Sequence, residues 1–346
     1  MRAQTVSTGL LAMTALMLAW GASGSAIAGP CGSPYVKGDV FASVGNGTVD
    51  VFTASGGMVC SINDGSGATY TTGSGFDGSG NFYVTNFSSN TVSKLNNSGS
   101  LVSSSFMSSS NTPESIDIQS TGFYAGLSNV GGPGASVINQ FDTSTGALVH
   151  SYSVLGGNGT GGTDWVDTYN TATGRVIYDG EGTAIRSAIL NANGTVTQLS
   201  DFTSAATEAA LNHIYAMRTI PVGSDAGDVL VANSVDAVLL DASGSIIKSF
   251  TLPGDGGGDF SLNLDPDGTD FWTGDFVTGD VWEVDIATGA IDESWSSGSS
   301  DLYGISVFGE IQSGGGPPPV PEPASLVLLG TALAGFGMLR RRGKMS

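Results

Sequence analysis

Few side chains in this sequence are spaced to do chemistry. Its two histidines, His150 and His213, are far apart, and neither belongs to a zinc motif or a catalytic triad pattern. There is no G-x-S-x-G elbow to present a serine nucleophile. The segment Asp265-Pro-Asp-Gly-Thr-Asp270 gathers carboxylates that could hold calcium. It lacks the remaining positions and the closing Glu of an EF-hand loop, and Asp-Gly between strand-like runs reads first as a hairpin turn. Local motifs therefore imply no catalytic residue, no cofactor and no built metal site, with calcium the one ion that has a candidate segment. Any site must be assembled by the fold from residues distant in sequence.

The elements available to do this are strands. Between the ends of the chain, Asn-Gly, Asp-Gly and Ser-Gly pairs punctuate short runs of Val, Ile, Phe, Tyr and Thr, the pattern of an all-β body with tight hairpins. One turn recurs, as TASGG, NNSG, TSTG, NANG, DASG and IATG, with its glycine at 56, 99, 146, 194, 244 and 289. A spacing of about 40–50 residues is that of a four-stranded propeller blade. Inner-strand candidates precede several units: ESIDI from Glu114, DWVDTY from Asp164, IYAMRTI from Ile214 and FSLNLD from Phe260. The first unit has no such strand before it, and the body ends with one to spare, LYGISVFGEI from Leu302 to Ile311. A six-bladed β-propeller over residues 29–312, closed by donating its last strand to its first blade, accounts for both and hides the sheet edges. A β-sandwich and a β-solenoid are the competing architectures. The stretch DGSGNFYVTN, Asp77 to Asn86, resembles NHL-type and related six-bladed propellers.

The ends carry the addressing. Arg2, the apolar run Gly9 to Ala22 and the A-x-A site Ala26-Ile27-Ala28 read as a secretory signal peptide over residues 1–28, cleaved after Ala28. Export makes the two cysteines, Cys31 and Cys60, an expected disulfide. The chain has 11 basic and 31 acidic residues, a net charge of −20. Five of the basic residues but only one acidic residue lie in the two terminal segments, so the body is more acidic still. Such a surface repels nucleic acid and anionic headgroups and attracts divalent cations.

At the other end, a Gly/Pro linker over 313–319 breaks the periodicity. Pro321-Glu322-Pro323 follows, then an uncharged run over 324–339, then Arg340, Arg341 and Arg342. As a helix that run spans roughly 24 Å at ~1.5 Å per residue, a marginal transmembrane helix held tail-in by its arginines. The order of these parts resembles the PEP-CTERM sorting signal of bacteria that make extracellular polysaccharide, covering residues 320–346. The resemblance implies transient membrane insertion, recognition by an exosortase with cleavage near Pro321-Glu322-Pro323, and release or transfer to the outer surface or matrix.

The expected function is thus an exported, non-catalytic binding or structural propeller, with exopolysaccharide or envelope components as partners. Trp165, Trp272 and Trp295 could stack on sugar rings, although core packing is the commoner role. The alternative is a metal-dependent lactonase or esterase. Six-bladed lactonases hold a divalent metal in the central channel, and by that resemblance Glu114, Asp164 and Asn233 are the candidate ligands. For the sorting segment, mass spectrometry of native surface protein should find a new C-terminus near Pro321 and no Arg340. Intact tail peptides on surface-localised protein would contradict it.

Overall fold

In a computed structural model describing residues 31, 34–119, 122–128, 136–159 and 161–311, the recurring glycines explain the architecture. Their φ angles are +77° at Gly56, +80° at Gly99, +72° at Gly146, +83° at Gly194, +78° at Gly244 and +77° at Gly289. A side chain makes that conformation costly. Each glycine sits in the hairpin joining the third and fourth strands of a four-stranded antiparallel sheet. At Gly146 and Gly244 a Cβ would also collide with the carbonyl oxygens of Phe106 and Phe202, in the preceding repeat. The same turn therefore folds each hairpin and, at these two positions, lets it press against its neighbour.

Six such sheets form the blades. Their inner strands are Thr71–Phe76 in blade two, Thr112–Gln119 in blade three, Trp165–Asn170 in blade four, Ala216–Thr219 in blade five and Asp259–Leu264 in blade six. Blade one is made from both ends of the body. Val40–Ser43, Thr48–Phe52 and Met58–Asn63 supply three strands, and Gly304–Val307 supplies the innermost. Val40 lies opposite Val307 and Ser43 opposite Gly304, and Phe308 N–H donates to Asp39 O at 2.9 Å. The six inner strands abut in sequence around a closed ring. The architecture is the expected six-bladed propeller closed by its last strand.

Both faces of a blade are buried against neighbours, so the middle strands are apolar without strict alternation, as in the fully buried Val229–Ala232. Phe271 and Trp282 belong to the core shared by blades four to six, whereas Trp272 packs with Phe52, Leu302 and Ile305 towards blade one. The inner strand of blade two, Thr-Thr-Gly-Ser-Gly-Phe, is not among those the sequence picks out. Its burial rests on hydrogen bonds: Thr72 with Thr85 at 2.8 Å and Ser74 with Ser306 at 2.9 Å. Cys31 and Cys60 are bridged, with Cα atoms 5.1 Å apart, tying the chain before blade one to that blade's outermost strand. Closing a loop of this length is worth roughly 3–4 kcal/mol.

The expected signal peptide, the Gly/Pro segment, the sorting residues and the helix expected over 324–339 lie outside the described residues. Among the described residues no helix is long and apolar enough to cross a membrane.

Closure by the last strand has a measurable consequence. Leu302, Ile305 and Val307 are buried to within 2% of completely, and full burial of each is worth about 1.5–3 kcal/mol. Truncation before Leu302 should therefore remove roughly 5–9 kcal/mol, comparable to the whole stability of a typical domain. Truncation after Gln312 should leave the melting temperature unchanged. Equal melting curves for the two truncated chains would refute closure.

Candidate functional site

The inner strands all run the same way along the central channel, so their starts form one mouth and their ends the other. The mouth at the strand ends is plugged by charge. Arg218 of blade five donates through Nε to Glu310, just past the closing strand, at 3.0 Å, and its Nη1 lies 3.9 Å from Asp167 of blade four. Glu310 also accepts from the N–H of Leu264 in blade six at 3.1 Å, and Asp167 accepts from Thr219 N–H at 2.8 Å. Asp117 of blade three accepts from Thr168 and from Gln119. Burial lowers the Arg218 pKa, but Glu310, Asp167 and Asp117 outweigh it and hold the guanidinium charged. Burial, with repulsion from Asp117, pushes Asp167 up to about 7 against the pull of Arg218. This end is a buried ion network that joins blades.

The opposite mouth is built differently. Glu114 begins to line it from blade three; Asp164 precedes the inner strand of blade four, and Glu181 follows that blade's second strand, Arg175–Asp179. One oxygen of each carboxylate lies within 4.8 Å of the other two. Glu114 is 5% exposed and Asp164 is 2% exposed; no donor meets Asp164 Oδ1 or Oδ2 in good hydrogen-bond geometry, although the nearby Ser128 hydroxyl and Glu114 carboxyl favour its ionised form. Buried Asp179 accepts the N–H of Glu181 at 2.9 Å through Oδ1, leaving Oδ2 unpartnered. Glu181 holds φ at +58°, a left-handed conformation that a non-glycine residue adopts at a cost. Burial pushes all four carboxyls up, Asp164 to about 7, and mutual repulsion adds to it for Glu114, Asp164 and Asp179. Among the described residues, His213 is the basic neighbour that acts on them, and it favours ionised Glu181.

Aromatic rings complete the rim. Phe87 and Tyr70 from blade two, Tyr303 before the closing strand, Phe260 from blade six and Tyr215 before blade five form a chain of contacts. Successive ring centroids are 6.2, 5.2, 6.2 and 5.0 Å apart. Four of these rings, with Thr72, Glu114 and Glu181, line a pocket of about 190 Å³. Aromatic faces thus come from blades two, one, six and five, and carboxylates from blades three and four. Three desolvated carboxylates around one point suit a hard divalent cation. The oxygen shell of calcium, with bonds of about 2.3–2.6 Å, allows ligands up to ~5 Å apart. The rings suit an apolar face or a sugar ring beside it.

Two of the three lactonase-type candidates, Glu114 and Asp164, are brought together. The third, Asn233, is not the partner that joins them. Its Oδ1 accepts from Asn212 N–H at 2.8 Å and its Nδ2 donates to Asp236 at 2.7 Å. Glu181, which no local motif marks, takes that place. His213 stacks on Tyr215 at the rim, with centroids 6.0 Å apart, while His150 lies on an outer strand near Ala192 O at 3.1 Å. The three tryptophans are structural. Trp165 Nε1 donates to Met217 O at 2.9 Å, Trp272 is fully buried, and Trp295 donates to Ala54 O at 3.0 Å. Asp265–Asp270 forms a hairpin turn, with Asp265 N–H donating to Asp270 O at 2.9 Å.

Comparison with known proteins bears on the tail and the fold separately. Residues 319–342 match the PEP-CTERM protein-sorting motif, so the chain carries that sorting signal behind a propeller body. No curated protein matches the chain. Among solved structures, a chain of the nidogen/laminin complex superposes with a TM-score of 0.56 at 12% identity, covering 78% of this chain and 97% of that one. The WD40 propeller domain of Doa1 gives 0.54 at 12% identity, covering 77% and 81%. A Desulfotomaculum acetoxidans protein of unknown function gives 0.55 at 12% identity, covering 79% and 99%. At such identities the likeness extends to the fold alone.

The mouth also sets a pH dependence. A carboxyl whose pKa is raised by folding binds protons more tightly in the folded state, so its contribution to stability is present below the unfolded pKa and lost as pH rises towards the folded one. With Asp164 moving from 3.8 to about 7, cation-free protein should lose stability between about pH 4 and 7. Asp164→Asn should flatten that decline and stabilise the cation-free protein by on the order of 2 kcal/mol at pH 7.5. Chemical denaturation in chelator across this range measures both, and identical profiles for the two proteins would contradict the assignment.

Proposed function

We propose that this chain is an exported protein, processed by an exosortase near Pro321-Glu322-Pro323 and retained at the outer surface or in the extracellular matrix, whose propeller is a non-catalytic binding module. Its ligand is a sugar unit of the producer's exopolysaccharide, taken at the carboxylate-and-aromatic mouth with calcium as the bridge. The observation that carries this reading is the convergence of buried Glu114 and Asp164 with Glu181, one oxygen of each within 4.8 Å of the other two. Carboxylates crowded together away from water are costly, and a cation removes the cost. The sorting motif supports an address outside the cell, where calcium and polysaccharide are both at hand. Sugar hydroxyls can complete an oxygen shell while Tyr303 and Phe260 cover the ring face.

The same carboxylates favour a second reading, a metal-dependent lactonase or esterase, in which the cation polarises a carbonyl and activates water. Titration calorimetry on the intact chain separates the two when combined with a lactone and ester panel. Glu114→Gln and Asp164→Asn should each weaken calcium binding at least about tenfold. Tyr303→Ala should leave calcium binding intact and weaken oligosaccharide binding about fivefold, the worth of one stacked ring. Calcium-dependent turnover of any panel substrate would overturn the non-catalytic reading in favour of the hydrolase.

A further inference from the structure

A second group of carboxylates lies away from the channel, on blade six, and the mouth does not account for it. Asp270 begins the second strand of that blade, Asp270–Asp275, and lies directly opposite Asp285, which ends the third strand, Asp280–Asp285. Asp292 lies in the outer strand, Ile291–Ser296, where the register shifts: Ile291 faces Val284 and Glu293 faces Glu283, leaving Asp292 between them. One carboxylate oxygen from each of Asp270, Asp285 and Asp292 lies within 4.8 Å of the other two. Three successive strands of one blade thus converge their acids on one point.

Asp285 is held in its own turn, its Oδ1 accepting from the N–H and the hydroxyl of Thr288, and Asp292 is exposed; Asp270 is the member that a solvated turn does not explain. Asp270 is 8% exposed. Its Oδ2 accepts from Thr269 Oγ1 at 2.6 Å, while its buried Oδ1 has no donor in good hydrogen-bond geometry and the carboxyl of Asp267, itself an acid, lies close by. Glu283 lies opposite Trp272 in the neighbouring register, so a further acid flanks the group. The nearest base acting on the group is Lys248. It donates to the carbonyls of Ile286 and Ala287 at 2.9 and 2.7 Å and favours ionised Asp285 only. Asp265 is already fixed by Trp272 Nε1 at 3.0 Å, and Asp267 by the N–H of Thr269 at 2.7 Å. Those two acids therefore shape the turn, while the oxygens of Asp270, Asp285 and Asp292 point together.

We propose that Asp270, Asp285 and Asp292 form a calcium site on blade six, separate from the channel mouth. Every donor is a carboxylate oxygen, the preference of a hard cation, and no imidazole or thiolate is present to select zinc or copper. The spacing matches the diameter of a calcium shell, and water completes the coordination on the exposed side of Asp292. Bound there, the ion links the second, third and fourth strands of blade six. Trp272 of that blade packs on the blade that closes the ring. Calcium outside the cell would then stiffen blade six beside the closure, after export.

Calcium titration calorimetry and thermal melts on the intact chain test this, with variants that separate the two sites. Asp292→Asn removes charge from the group and should fold and melt slightly higher than the parent in chelator, whereas Asp285→Asn also weakens the Thr288 contacts of its turn and should fold but melt slightly lower. Each should lose one calcium per chain, or weaken it at least about tenfold, and lose part of the calcium-induced rise in melting temperature. Glu114→Gln should leave this site intact. Calcium stoichiometry and melting increment unchanged in both Asp292→Asn and Asp285→Asn would overturn the proposal, as would calcium binding abolished by Glu114→Gln alone. Loss in the blade-six variants with no effect of Glu114→Gln would sustain this site and defeat the calcium role of the mouth.

Discussion

The pairing of Gly304–Val307 with Val40–Ser43 is the contact on which everything else rests. Blades two to six are each a continuous meander, but blade one exists only when residues some 260 apart in the chain meet. Without that pairing Val40–Ser43 is an open edge, and the core around Trp272, Leu302 and Ile305 is unfinished. Closure also delivers two side chains to the axis. Tyr303 enters the aromatic rim just before the closing strand, and Glu310 meets Arg218 just after it. Both ends of the channel are therefore completed by the event that completes the fold.

Charge is distributed unequally along that channel. At the plugged mouth Arg218 faces Glu310, Asp167 and Asp117, and backbone and hydroxyl donors satisfy much of the rest. At the open mouth Glu114, Asp164, Asp179 and Glu181 gather with His213 beside Glu181 and, among the described residues, no ion pair to any of them. Buried acids with a guanidinium among them hold blades together. Buried acids without one leave a deficit of positive charge that burial magnifies. The contrast within one channel is what marks the second mouth as a binding site and the first as structure.

Much of the ring was legible in the sequence because each blade repeats a backbone requirement. A left-handed residue in the third hairpin admits glycine above all others, so Gly56, Gly99, Gly146, Gly194, Gly244 and Gly289 mark the blades although little else in the repeats agrees. The spare strand at Leu302 to Ile311 was readable by counting. The inner strand Thr71–Phe76 escaped because hydroxyl pairs such as Ser74 with Ser306 bury it in place of an apolar stripe. The site was half legible. Glu114 lies on an inner strand and Asp164 immediately before one, so both must approach the axis. Glu181 reaches it from a loop after the second strand of blade four, through a strained φ that no local pattern announces. Asn233 had the right residue type for a metal, but its amide is committed to Asn212 and Asp236. The tryptophans take the commoner role of core packing, because their size suits the blade interfaces, while smaller rings line the mouth.

The central claim is that the open mouth of the channel holds a divalent cation. Anomalous diffraction from crystals of the intact protein grown with strontium, an oxygen-seeking stand-in for calcium, tests it most directly. The account predicts a peak bonded to Glu114, Asp164 and Glu181, absent in Asp164→Asn. A mouth that shows no peak at millimolar strontium and neutral pH, with Glu114 and Asp164 sharing a proton in its place, would contradict it.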